Sequence, residues 1–214
     1  MKALLAILLA VFLFPATIAT SESIKLDAVQ PIQYEGDTFC TVFSINEKEG
    51  YFGTAGHCAV GSIGKDTTGK VTILGKPATV EMIDLAYDVA VFQADVHIPA
   101  LKLAKETVKV CDPKKLVECE LVSARGFPYG LPVMITVVGR MAAHDVPIPH
   151  PGYGKNMDSD IIDLTVAHGN SGSPVVNGKD EVIGVLWGAS SSSHTLSVPL
   201  VVLHRVMGKY FEEE

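Results

Sequence analysis

A serine held between glycines, in Gly169-Asn170-Ser171-Gly172-Ser173-Pro174, sits in a setting suited to covalent chemistry. The flanking glycines let the backbone turn sharply and present the Ser171 hydroxyl with little crowding. The same turn can aim backbone N–H groups of Gly169 and Ser171, with Asn170 spanning them, into one small space where an oxyanion would sit. A serine hydroxyl is a weak nucleophile at neutral pH and needs a base beside it. His57, in Thr54-Ala55-Gly56-His57-Cys58, can take and return one proton near neutrality. Asp88, in Asp88-Val89-Ala90-Val91, can accept from the far imidazole nitrogen, set the tautomer and stabilise the imidazolium. Asp84, four residues earlier, is the competing carboxylate.

These groups must be positioned by strands. Short β-type runs dominate, among them Phe39–Ile45, Tyr51–Ala55, Val71–Leu74, Ala78–Ile83 and Val89–Ala94. Further runs are Val108–Cys111, Glu120–Ala124, Val133–Met141, Ile161–Val166, Val182–Trp187 and Thr195–Val198. Turn clusters such as Asn46-Glu47-Lys48-Glu49-Gly50 and Asn177-Gly178-Lys179 separate them. Such a pattern favours a barrel or a sandwich over βαβ units and does not choose between the two. Only the end of the chain has helical period: after Pro199, Leu200, Leu203, Val206 or Met207, and Tyr210 recur at i, i+3, i+7 spacing. That helix is expected to pack on whatever body the later strands form. No internal sequence repeat is visible.

The 214 residues suit one domain or two small fused ones, and the net charge of −7 comes without a basic cluster. Nothing in it suggests a nucleic acid or an anionic membrane as partner. Lys2, the apolar run Ala3–Phe14 and the small residues of Thr17-Ile18-Ala19 read as an export signal over residues 1–19, with the mature chain starting near Thr20. The run is short for a spanning helix, although retention as a signal anchor stays open. The expected location is therefore secreted or periplasmic. Four cysteines in an exported chain read as disulfides, with three connectivities possible. Neither Cys-x-x-Cys nor His-Glu-x-x-His occurs, which argues against a metal site. No cofactor is expected. His97, His144, His150, His194 and His204 show no ligand spacing and read as structural or exposed.

Thr-Ala-Gly-His-Cys, Asp-Val-Ala-Val and Gly-Asn-Ser-Gly-Ser-Pro, in that order, resemble the chymotrypsin-like (trypsin-like) serine peptidases from about Thr38 to the C-terminal segment. The stretch Gly169–Gly188 is most similar to the bacterial glutamyl endopeptidases, and Gly126-Phe127-Pro128-Tyr129-Gly130 to the HtrA peptidase domain. The resemblance implies an all-β fold of two antiparallel six-stranded barrels with the site between them. Residues 20–105 would form the first barrel, carrying His57 and Asp88. Residues 106–214 would form the second, carrying Ser171 and the C-terminal helix, with His97–Thr107 as the link. It implies endopeptidase activity through an acyl-enzyme on Ser171, with protein or peptide substrates, and it favours Asp88 over Asp84 through the family's Asp-x-Ala-x pattern. It also implies a Cys40–Cys58 bridge at the base-bearing loop, and Cys111 is expected to pair with Cys119 across a short local loop.

Two departures from family patterns matter. Asn170 stands where pancreatic members carry an aspartate that pairs with a newly cleaved N-terminus, so no such cleavage is expected. The pocket for the residue on the acyl side of the cut bond would comprise Thr165, Val166, His168, Leu186, Trp187 and Gly188. Trypsin-type enzymes have an aspartate at the place of Thr165; glutamyl endopeptidases have a threonine and a histidine at the places of Val166 and Leu186. An apolar preference is expected, because burying an unpaired charge is costly. The alternatives are glutamyl specificity through His168, or a non-catalytic binding protein on the same fold. An acyl hydrolase of the Gly-x-Ser-x-Gly type is disfavoured, because that motif is absent and the base precedes the serine.

Overall fold

Most of the apolar runs form strands, and twelve strands close into two antiparallel barrels. The computed structural model describes residues 28–63, 70–150, 152, 154–191 and 193–212. The expected signal at residues 1–19 and the start near Thr20 lie outside the described residues.

The first barrel comprises β1 (Val29–Tyr34), β2 (Asp37–Asn46), β3 (Tyr51–Ala55), β4 (Val71–Ile73), β5 (Lys76–Asp84) and β6 (Val89–Ala94). Their order around it is β1-β2-β3-β6-β5-β4. Helix α1 (Gly56–Ile63) leaves β3 directly. The second comprises β7 (Val122–Gly126), β8 (Ile135–Pro149), β9 (Asn156–Asp163), β10 (Pro174–Val176), β11 (Val182–Ala189) and β12 (His194–Pro199). Its order, β7-β8-β9-β12-β11-β10, repeats that of the first barrel. Residues 95–121 connect the two, with a parallel bridge from Leu103 to Val182 and a short 3-10 turn at Leu116–Glu118. The proposed boundary between residues 105 and 106 falls inside this connection.

Fully buried Phe43, Phe52, Phe92, Ile32, Ile45 and Ile73 fill the first barrel. Met141, Ile162, Ile183 and Leu186 fill the second. Residues 89–92 of β6 are all buried, because α1 covers the strand as well as the barrel interior. That explains a run with no polar alternation.

The structure corrects several sequence expectations. Val108–Cys111 is not a strand; the Cys111–Cys119 disulfide and a bond from Cys111 N–H to Met141 O (2.8 Å) hold it as irregular chain. β9 ends at Asp163, so Thr165 and Val166 lie in the loop after it. The terminal helix α2 covers only Leu200–Val206, with a 3-10 turn at Gly208–Tyr210. This segment also reaches beyond the second barrel. Leu203, Met207 and Tyr210 share a core with the first barrel, Tyr210 meets Tyr51 edge-on at 5.4 Å, and Glu212 N–H donates to Ile45 O at 3.1 Å.

Candidate active site

Strand register brings His57 and Asp88 together. β3 pairs with β6 so that Ala55 faces Val89. His57 follows Ala55 by two residues and Asp88 precedes Val89 by one, so both emerge at the same barrel end. His57 N–H donates to Asp88 Oδ1 at 2.6 Å, and His57 Nδ1 donates to Asp88 Oδ2 at 2.8 Å. With the proton on Nδ1, a neutral His57 keeps a lone pair on Nε2. Asp88 is 0% exposed and holds a left-handed backbone at φ +50°, an uncommon conformation that aspartate tolerates better than most residues. Asp84 instead caps a turn, accepting from the N–H groups of Ala86 (2.9 Å) and Tyr87 (3.3 Å).

The serine turn is built on its glycines. Gly169 has φ +96°, and a Cβ there would come within 2.3 Å of Phe127 O. Gly172 has φ +83°, and its Cβ would meet Thr54 Oγ1 at 2.1 Å. No side chain fits either place. Asn170, Gly172 and Ser173 commit their N–H groups to Ala167 O (3.1 Å), Leu186 O (2.8 Å) and Asn170 O (2.9 Å). Among the described residues, the N–H groups of Gly169 and Ser171 have no such partner, so they can serve an oxyanion.

Thr41 of β2, which the sequence reading missed, ties this turn to the first barrel. Its N–H donates to Ser171 O (2.8 Å), and its hydroxyl donates to Gly169 O (2.8 Å) while accepting from Phe127 N–H (3.1 Å). Thr54 Oγ1 donates in turn to Thr41 O at 2.8 Å. Only the folded chain joins these three segments.

Cys40 of β2 is bonded to Cys58 of α1, and Cys111 to Cys119. The first bridge fastens the helix that carries His57. Although Cys40, Cys58 and His57 cluster, both sulfurs are consumed in the bridge and offer no thiolate to a metal.

His57 and Ser171 line one cleft of about 900 Å³, together with Val166, His168, Leu186, Trp187 and Gly188. Ile148, Pro149, Ala167 and Leu196 add apolar wall, and among the described residues no lysine, arginine, aspartate or glutamate lines it. Thr165, expected in this pocket, is exposed and outside the lining, because β9 ends two residues earlier. His168 is exposed while bordering the cleft. Leu196, buried on β12 and facing Gly188 across the β11–β12 ladder, narrows the pocket in a way that no motif announced.

His150 departs most from expectation. Read in the sequence as structural or exposed, it is buried in the cleft wall with Nε2 at 3.4 Å from Asp88 Oδ2. The other four do have structural or surface places. His144 bonds Asp160 and Val108 O, and His204 bonds Ala104 O. His97 and His194 are exposed.

The model of the trypsin-like peptidase domain family matches residues 40–185, well over half the chain. Among solved structures, the fold is similar to the active form of the Rv3671c protease from M. tuberculosis. That similarity has a TM-score of 0.67 and 20% identity over 89% of this chain and 83% of that one. The inactive form of the same protease gives 0.66 and 21% over 86% and 89%. Deg5 gives 0.63 and 20% over 86% and 89%. At such identities the structures speak for the chymotrypsin-like fold, and the family match supplies the rest: this chain belongs to the trypsin-like peptidase family and is a serine endopeptidase.

Proposed function

We propose that the protein is an exported endopeptidase in which Ser171 is the nucleophile, His57 the general base and Asp88 the orienting carboxylate. The observation that carries the assignment is the 2.8 Å bond from His57 Nδ1 to fully buried Asp88, at a cleft His57 shares with Ser171. His57 Nε2 takes the Ser171 proton as Oγ attacks the substrate carbonyl, and the N–H groups of Gly169 and Ser171 receive the negative charge on oxygen. The imidazolium, steadied by Asp88, gives the proton to the leaving amine, and the C–N bond breaks. Water, deprotonated by His57, then attacks the Ser171 ester; the C–Oγ bond breaks as the imidazolium returns the proton to Ser171 Oγ, and the acid is released. No metal or organic cofactor takes part in these steps.

The acyl-side residue of the substrate is proposed to be apolar and of small to medium size. Val166, Leu186 and Leu196 give the pocket no donor for a carboxylate and no counter-charge for a cation. Selectivity between neighbouring apolar sizes should be modest, ~1–3 kcal/mol per methylene. His168 at the rim favours a second reading, cleavage after glutamate.

One set of assays tests both parts. A fluorophosphonate probe should label the mature protein at Ser171, and Ser171→Ala should abolish labelling and turnover. Labelling that persists in Ser171→Ala removes the nucleophile assignment. Matched peptides differing only at the acyl-side residue should be cut faster after Leu, Val or Phe; faster turnover after Glu, Lys or Arg overturns the pocket reading.

A further inference from the structure

Among the described residues, Asp88 has one donor that lies outside the proposed triad. We infer that His150 is a positioning residue for peptide hydrolysis, clamping Asp88 Oδ2 as a second imidazole N–H donor beside His57. The inference rests on the triad roles proposed above.

The tautomer follows from the neighbours of the ring. Gly152 N–H donates to His150 Nδ1 at 3.1 Å, so that nitrogen is an acceptor and the neutral ring carries its proton on Nε2. Nε2 faces Asp88 Oδ2 at 3.4 Å, the same oxygen that accepts from His57 Nδ1. That distance is at the long end for a hydrogen bond, a common state for catalytic contacts before substrate binds. The ring is 8% exposed and cannot easily turn to water instead. It stacks on Trp187 with centroids 5.0 Å apart and planes inclined by 28°. Trp187 is anchored in turn: its Nε1–H donates to buried Ser159 Oγ at 3.2 Å, and Ser159 donates to Met157 O at 3.1 Å. A relay of fixed groups thus runs from β9 through β11 to the carboxylate.

What the relay stabilises is a soft torsion. The carboxyl of an aspartate rotates broadly about its last bond. Among the described residues, its donors are His57 N–H, His57 Nδ1–H and His150 Nε2–H, and the last two share Oδ2. Losing His150 leaves Oδ2 with a vacant lone pair in a site that water does not reach, and frees the carboxylate to turn away from His57. The imidazolium formed during turnover would then be held less well. Substrate binding would change little.

Two substitutions separate this role from simple packing under Trp187. His150→Phe keeps a ring against Trp187 and removes the donor; His150→Gln keeps an N–H at similar reach and removes the ring. Positioning predicts that His150→Phe lowers kcat about 10- to 100-fold with little change in KM, the scale of a hydrogen bond to a charged group. His150→Gln should retain most of the turnover. Unchanged kcat in His150→Phe, or a greater loss in His150→Gln, overturns the inference. Combining His150→Phe with Asp88→Asn should add almost nothing to the loss from Asp88→Asn alone, whereas full additivity means His150 does not act through Asp88. The wild-type protein gives a readout that needs no variant to fold. 15N-histidine NMR should find a proton on His150 Nε2, and a ring protonated at Nδ1 alone overturns the assignment. If the triad reading itself is wrong, Ser171→Ala remains active; if only this inference is wrong, Ser171→Ala is inactive and His150→Phe is unimpaired.

Discussion

Asp88 reaches His57 with both oxygens, one on the backbone N–H and one on the ring, while Asp84 serves the N–H groups of its own turn. Asp88→Asn should therefore lower turnover by about 10⁴-fold, since an amide in that place favours the wrong imidazole tautomer. Asp84→Asn keeps an acceptor oxygen for the turn and does not touch His57, so it should leave turnover within a few-fold of wild type. Steady-state kinetics on one peptide decides it, and a reversed order of the two effects reassigns the carboxylate. That His57 meets Asp88 and shares a cleft with Ser171 was legible in the sequence, because each sits in a local motif whose neighbours shape its backbone. Thr41 and His150 were not, because their chemistry comes from partners far along the chain. Thr41 bonds Gly169 O across 128 residues, and His150 meets Asp88 across 62. Thr165 was misplaced because its role was carried over by counting back from the serine. Such a count cannot register that β9 stops at Asp163.

At the level of strands and helices, apolar runs were legible and strands with mixed pattern were not. β1 reads Val-Gln-Pro-Ile-Gln-Tyr, with a proline inside and only Val29 and Ile32 buried, and β10 has only three residues; neither gives a usable run. β8 was expected to stop at Met141, yet it continues to Pro149 through irregularities in its pairing with β9 between Met141 and Val146. His144 sits in that irregular stretch, where Nδ1 meets Asp160 Oδ1 and Nε2 meets Val108 O, both at 2.9 Å. Burial alone would push its pKa down, but the Asp160 bond and charge, the Val108 carbonyl and the Asp145 charge outweigh burial and raise it above the ordinary value. Asp160 is likewise raised, by burial, against the opposing pull of His144. A histidine with a raised native pKa contributes stability that is full below its unfolded value, about 6.5, and lost as pH climbs through the native value. The thermal midpoint of wild type should thus exceed that of His144→Gln most near pH ~6, with the gap closing toward pH ~9. A gap that stays constant or widens over that range means that the charged form of His144 contributes nothing to holding β8 on β9.

The two barrels share one strand order although the sequence shows no repeat, because a closed six-stranded barrel constrains register and the pattern of burial, not residue identity. The all-β architecture of paired barrels was legible only through the motifs; strand pattern alone left a sandwich open. The chain also ties the barrels together in ways that bear on activation. Thr41 in β2 holds the turn of Gly169 and Ser171 by two hydrogen bonds, and residues 203–212 pack on the first barrel after leaving the second. Asn170, 5% exposed, lies inside that turn with its N–H on Ala167 O and its carbonyl on Ser173 N–H. Its neutral amide has no charge with which to draw a new ammonium into the interior, where an ion pair must overcome the desolvation of both partners. Among the described residues, Thr41, Gly169 and Gly172 already set the turn. A form beginning at Thr20 should therefore be fully active as made, and removing further residues ahead of β1 should not raise kcat/KM. Active-site titration with the fluorophosphonate probe, on forms beginning at Thr20 and at successively later residues up to Ala28, measures this directly. An unreactive form at Thr20 that gains reactivity on trimming would show that this peptidase is a zymogen despite Asn170.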